Sequence, residues 1–328
     1  MRVFMSALLV LLALLSASCR APAEEGSKVR VAFMARLTHA PALTAVDSGR
    51  LDAALGGVRV ESRLFEVGNA AIEALFAGDV DIALLGPNPA INGFVRSNGE
   101  VRIVSGLASG GSSLVVRAGS GIASAHDLKG RRLATPQIAS TQDVALRAYL
   151  RRNGLASTLE GGDVTVLPMS SAEIRLLLRR GEIDGAFVSE PLASELVASG
   201  ASVLVDERDE WPGRRHPSTV VAVRKRYLDA HPENVRRVVA ALDAEIRWVE
   251  SHRDDALAAC LGGIQRRLGK APPASVAGPA FSRIDFTSDP MPGALARQAY
   301  DAEQAGFLPR GAALAGLLVE LDAREAAR

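Results

Sequence analysis

Two stretches of the chain, 71–85 and 174–188, repeat each other at an offset of 103 residues, and the repeat limits what the chain can become. Leu75, Gly78, Asp81 and Ala83 in the first stand where Leu178, Gly181, Asp184 and Ala186 stand in the second, with Val80 matched by Ile183. Each stretch reads as a helix stopped by glycine, then an aspartate, then a short buried strand. Each also follows a run, at 58–65 and at 164–167, that predicts another strand. Strand, helix and strand joined by short loops make a parallel βαβ unit. Such a unit used twice predicts two similar α/β lobes. Asp81 and Asp184 invite a reading as a carboxylate pair, but equivalent positions in separate lobes fit loop-capping residues better.

The same rhythm runs on either side of the repeat. Strands are predicted at 29–34, 101–108 and 132–135, and helices at 40–46, at 140–153 with Gly154 as its stop, and at 233–251. In the last of these, Val235, Val238, Leu242, Ile246 and Val249 fall on one face. The final third is mostly helical. Two further segments, 112–117 and 218–224, are apolar strands that open with hydroxyl residues and close with arginine. They bracket the second unit, so the expected division is 28–113 with 224–328 as the first lobe and 114–223 as the second. Residues 114–117 and 220–224 would then be crossing strands and natural hinges.

The chain has 328 residues, more than one core usually holds. Val3 to Leu15 is apolar apart from Ser6, follows a basic start and ends in small residues, which marks 1–18 as a signal peptide and not a membrane span. The ending Leu-Leu-Ser-Ala-Ser-Cys (14–19) resembles the bacterial lipobox, in which the cysteine is acylated and becomes the mature N-terminus. Ser16 departs from that pattern, and ordinary signal-peptidase cleavage is the alternative. Residues 19–27 then read as a lipidated, polar tether. No other apolar run is long enough to span a bilayer. Without Arg2 there are 37 basic and 37 acidic residues, so no overall field attracts nucleic acid or an acidic membrane. Aromatics at 4% make no stacking platform for bases. Five scattered histidines and two cysteines set out no metal site. Cys260, among Leu257, Ala258, Ala259 and Leu261, reads as a small core residue.

Five loops each follow a predicted strand and open a helix: Thr38 to Pro41, Gly68-Asn69, Gly86 to Pro89, Ser140 to Asp143, and Ser189 to Pro191. Proline in the first turn, with Ser, Thr or Asn before it, signals a helix start. Ser140 with Asp143, and Ser170 with Glu173, have capping-box spacing. In parallel α/β sheets such starts gather at the carboxyl edge of the strands, where free N–H groups and the helix dipole attract anions. Capped helices begin there in every α/β protein. What favours a binding cleft is the crowding of hydroxyl and amide residues from both lobes, with two hinge-like strands between them.

Several of these loops carry a family resemblance: Leu-Thr-His-Ala-Pro-Ala (37–42), Ala-Leu-x-x-Gly-x-Val-Asp (74–81), and Ala-Thr-Pro-Gln-Ile-Ala-Ser-Thr-Gln-Asp (134–143). Val-Ser-Glu-Pro (188–191), Trp-Pro-Gly with His-Pro-Ser-Thr (211–219), and Phe-Thr-Ser-Asp-Pro (286–290) complete the set. In this order they resemble the substrate-binding proteins of ABC importers for nitrate, sulfonates and taurine, over almost the whole mature chain. The resemblance implies a periplasmic-binding-protein type II-like fold, each lobe a mainly parallel sheet flanked by helices, with two crossing strands between. It also implies that Thr38, His39, Asn69, Asn88, Ser112, Ser140, Thr141, Gln142, Glu190 and Thr219 line a solute cleft. An exported, lipid-anchored monomer would then deliver a small anion to a permease and its ATPase, with no cofactor, metal or catalytic residue. Arg36 is the one basic residue near a first-lobe cleft loop.

Three features have competing readings. His39 donates to an anion, caps its helix with its ring or merely sits at the surface, capping being favoured. Trp211 either lids the cleft or packs on its lobe. Arg-Lys-Arg (224–226) reads as a solvated turn, with a permease-docking site as the weaker alternative. A different function class also needs weighing, because related two-lobed folds include pyrimidine-precursor synthases and porphobilinogen deaminase. Such chemistry calls for a reactive cysteine, a histidine donor or a cofactor. Cys260 lies in an apolar helix, and the chain has no Gly-x-Ser-x-Gly, P-loop or Gly-x-Gly-x-x-Gly. A third reading is a ligand sensor; neighbouring permease and ATPase genes favour import, a kinase gene favours sensing.

Overall fold

The computed structural model describes residues 27–321, so the expected signal segment, Cys19 and nearly all of the expected tether lie outside it. In chain order the first lobe begins with β1 (Lys28–Phe33), α1 (Ala40–Asp47), α2 (Arg50–Ala54), β2 (Arg59–Leu64) and α3 (Gly68–Ala77). It continues through β3 (Ile82–Leu85), α4 (Pro87–Arg96) and β4 (Val101–Gly110). The second lobe holds β5 (Ser112–Val116), β6 (Arg132–Thr135), α5 (Thr141–Arg152), β7 (Thr165–Pro168) and α6 (Ser171–Arg180). It ends with β8 (Gly185–Ser189), α7 (Leu192–Ala198) and β9 (Ser202–Asp206). The chain then returns with β10 (Pro217–Arg224), α8 (Lys225–Ala230), α9 (Pro232–Ser251) and α10 (Arg253–Leu268). Last come α11 (Ala274–Phe281), β11 (Ile284–Phe286) and α12 (Pro292–Gln304).

The two sheets run β11-β4-β10-β3-β1-β2 and β7-β6-β8-β5-β9. The predicted repeat is visible in both. β2-β1-β3 and β7-β6-β8 are parallel triplets of the same order, and an antiparallel strand follows each, β10 beside β3 and β5 beside β8. Each sheet is therefore mixed, its antiparallel part built from the strands that flank the passages between lobes and, in the first sheet, the edge strand β11.

Asp81 and Asp184 do equivalent work in these units. The Asp81 carboxylate accepts the backbone N–H of Arg30 at 2.9 Å, and Asp184 accepts that of Arg132 at 3.0 Å. The arginines that close the two hydroxyl-led strands meet the same aspartates: Arg224 lies 3.1 Å from Asp81 and Arg117 lies 3.7 Å from Asp184. Each aspartate ties a helix-to-strand loop to the neighbouring strands and belongs to no dyad. Gly78 and Gly181 end the preceding helices with φ of 75° and 71°, a left-handed turn that a side chain would strain.

Alternation builds the core. In β1, Val29, Val31 and Phe33 face the layer of α1, α9 and α10, while Ala32 packs on the opposite side with residues of α3, α4 and α12. Burying each large apolar side chain contributes roughly 1.5–3 kcal/mol. Cys260 is a free cysteine inside this core, its thiol pushed up to about 12 by burial, so it is no nucleophile at neutral pH.

The passages between lobes differ from the expected crossing strands. The chain leaves the first sheet at Gly110 and enters the second at Ser112, and it returns through 207–216 before β10 pairs with β3 and β4. Residues 217–223 thus sit in the first sheet. Segments 112–117 and 218–224 look alike because they hold equivalent places beside β8 and β3, and not because both cross. Arg224 is no solvated turn residue, since it is held by Asp81, while Lys225 pairs with Asp229.

Candidate functional site

All five helix-opening loops contribute to one cavity of about 60 Å³ between the lobes. Thr38 and His39 come from the loop after β1, Val67 and Gly68 from the start of α3, and Gly86 and Pro89 from the start of α4. The second lobe contributes Pro136, Gln137, Ser140, Thr141, Gln142 and Ser189. Ser218 and Thr219 of β10, Met34 and Arg36 complete the wall.

The lobes touch across this cavity. The Asn88 N–H donates to the Thr141 hydroxyl at 3.4 Å, and a Cβ on Gly86 would meet that oxygen at 2.6 Å. Val144 of α5 packs into the first-lobe cluster that contains Leu295 and Ala299 of α12. Beside it Arg151 pairs with Asp301 at 2.8 Å. Burial drives the Asp301 pKa up against the pull of Arg152, Arg151 and Arg297.

Two helix N-termini present unbonded N–H groups here. In α5 the Ser140 hydroxyl caps the Asp143 N–H at 3.2 Å, which leaves the Thr141 and Gln142 N–H groups without partners among the described residues. Asp143 does not close the predicted box. It accepts the Ala139 N–H instead, whereas Ser170 and Glu173 form the full box. In α3 no side chain caps the first turn, so Gly68, Asn69 and Ala70 keep their N–H groups. The start of α4 offers nothing similar, because Pro87 and Pro89 lack the group and Asn88 spends its own on Thr141.

Two first-lobe side chains set the electrostatics. The His39 Nε2–H donates to the Leu84 carbonyl at 3.2 Å, which leaves Nδ1 to accept from the Thr38 hydroxyl at 3.1 Å. This ring holds strands together and does not cap α1, against expectation. Burial pushes its pKa down to about 3, with the Leu84 hydrogen bond opposing and the Arg36 charge adding to the fall, so the ring is neutral at physiological pH. Arg36 donates from Nη2 to the Glu66 carbonyl at 2.6 Å. Burial lowers its pKa against the raising effect of Glu66. The sequence shows Arg36 near the cleft but not where it points, because its direction depends on a carbonyl thirty residues away.

Of the ten residues expected at the cleft, six line the cavity: Thr38, His39, Ser140, Thr141, Gln142 and Thr219. The other four are not on its wall. Asn69 sits in the first turn of α3, and Asn88 Nδ2 donates to the Gln298 carbonyl at 3.3 Å. Ser112 accepts from Gln142 Nε2 at 3.2 Å. Glu190 accepts the Ser194 N–H at 3.0 Å and lies 3.3 Å from Arg283; burial raises its pKa against these partners. Trp211 takes the packing role and is no lid, buried between the His216 ring at 5.3 Å and the Arg297 guanidinium at 4.3 Å. Among the described residues no group of His, Cys, Asp and Glu is placed to hold a metal ion, and no helix is long and apolar enough to cross a membrane.

Residues 22–261 match the NMT1-like family. The chain belongs to that family. Among curated proteins it is 31% identical over 195 residues to the taurine-binding periplasmic protein of Escherichia coli K12, a match covering 59% of this chain and 58% of that protein. Among solved structures, the alkanesulfonate-binding protein of Xanthomonas axonopodis pv. citri, bound to MOPS, superposes with a TM-score of 0.75 at 20% identity over 90% of this chain and 98% of that one. The periplasmic nitrate-binding protein of Synechocystis PCC 6803 gives a TM-score of 0.75 at 16% identity, covering 92% and 88%. These neighbours share the two-lobed α/β fold, and they are named as binding proteins and not as enzymes.

Proposed function

We propose that this NMT1-like chain is the extracytoplasmic solute-binding component of an ABC importer, which captures a small anion between its lobes and delivers it to a permease and ATPase. One observation supports the reading: the first turns of α3 and α5, from opposite lobes and with unbonded N–H groups, both line one cavity beside Arg36. Donors fixed before the ligand arrives need no reorganisation to bind it, and each hydrogen bond to a charged acceptor contributes roughly 1.5–3 kcal/mol. The cavity of about 60 Å³ has room for roughly four to six water-sized groups. That is the scale of nitrate or a short sulfonate, the ligand types named for the relatives.

Opening and closing follow from the same reading. The passages at Gly110–Ser112 and 207–216 are the hinges about which the lobes move, with Thr141 against Gly86 as the closed stop. No catalytic group or cofactor is needed, since the polar cavity residues hold, orient and release. Cys19 is the acylation site, and a polar tether lets a monomer reach its permease from the membrane. A thermal-shift screen of nitrate and short sulfonates tests the binding reading. A rise in melting temperature with at least one of them is expected, and no shift with any would overturn it. Cys19→Ser should move the protein from membrane to soluble fraction.

A further inference from the structure

We infer that the cavity selects an anion whose far end carries no positive charge, so that an uncharged-tail sulfonate binds and its ammonium-bearing counterpart is rejected. This rests on the anion-binding reading above and adds the specificity of the same site. The charge pattern of the wall carries it. Arg36 is the single ionised side chain on the wall, and the neutral His39 beside it lends no charge. Met34, Val67, Pro89 and Pro136 give the wall apolar surface, and its other polar side chains are hydroxyls and amides.

The nearest carboxylates are already committed. Glu190 is turned toward Arg283 and the Ser194 N–H, and Asp143 toward Arg147 and the Ala139 N–H. Glu66 offers Arg36 its carbonyl, and its carboxylate charge acts on the same guanidinium. An ammonium enclosed here would exchange its hydration for hydroxyl oxygens and a methionine, with a guanidinium in the same small space. A buried cation without a carboxylate partner is strongly disfavoured. Arg36 has the opposite need. Beyond the Glu66 carbonyl, its nitrogens make no hydrogen bond with the described residues, so an entering oxyanion completes it.

The pair isethionate and taurine isolates this point, because they differ by hydroxyl against ammonium on the same two-carbon sulfonate. Titration calorimetry at pH 7 with the full mature protein should show isethionate binding at least tenfold tighter than taurine. Arg36→Gln, which keeps a donor for the Glu66 carbonyl, should abolish isethionate binding with little change in melting temperature. Taurine binding equal to or tighter than isethionate would overturn the uncharged-tail inference and leave the anion reading standing. Undiminished isethionate binding by Arg36→Gln would overturn Arg36 as the anchor. If neither sulfonate binds and nitrate and methanesulfonate also fail, the anion reading itself falls and takes this inference with it.

Discussion

His39 makes the fold acid-sensitive in a way that can be worked out in advance. Its ring is locked between the Leu84 carbonyl and the Thr38 hydroxyl, and burial holds the folded pKa near 3 against an ordinary 6.5. Between those values the unfolded chain binds a proton that the folded chain refuses. Stability therefore rises with pH through that window and is lost as pH falls below about 6.5. At pH 5 the loss is about 1.36 kcal/mol per pH unit over roughly one and a half units, or ~2 kcal/mol. Because pH 5 lies well above the folded value, the loss is set by the unfolded pKa. His39→Gln retains a donor for the Leu84 carbonyl and removes the titration. Urea unfolding at pH 7 and pH 5 should show the wild type losing about 2 kcal/mol more than the variant, with the other histidines cancelling in the comparison. Equal losses would mean that the ring is free to protonate in the folded state, and the depressed pKa would be wrong.

Other perturbations have equally definite outcomes. Gly86→Ala keeps an allowed backbone, with φ of −63°, but sets a methyl 2.6 Å from the Thr141 oxygen. Small-angle scattering should then find no contraction on adding ligand, and affinity should fall at least tenfold while the apo melting temperature holds. Thr141→Ala combined with Gln142→Ala should weaken binding tens-fold by calorimetry, whereas Ser140→Ala should lower stability by about 1 kcal/mol through loss of the α5 cap. Asp81→Asn breaks a buried pair, with the carboxylate 1% exposed, and should cost about 3–5 kcal/mol in urea unfolding. Asp184→Asn, at 16% exposure and with its arginines beyond 3.5 Å, should cost about 1 kcal/mol or less.

The parts of the fold that are local in sequence were legible. Leu75, Gly78 and Asp81 with their partners 103 residues on mark two βαβ units because helix stop, capping aspartate and buried strand are neighbours in the chain. All five helix starts were readable for the same reason, and all five reach the cavity. What the sequence hides is pairing at a distance. β5 and β10 share a pattern, yet only their partners, β8 and β3, reveal which sheet each joins. Asn88 and Glu190 read as ligand groups because amides and carboxylates suit that role, but Gln298 and Arg283, far along the chain, already engage them. Arg36 was noticed without a role, since no local signal says that the Glu66 carbonyl fixes it at the cavity.

Anomalous diffraction from crystals grown with 2-bromoethanesulfonate would locate the ligand directly. The account predicts a bromine peak in the interlobe cavity beside Met34, Val67 and Pro136, with the sulfonate oxygens within hydrogen-bond distance of Arg36 and the Thr141 and Gln142 N–H groups. Full-occupancy bromine anywhere outside that cavity, or a sulfonate turned away from Arg36 inside it, would contradict it.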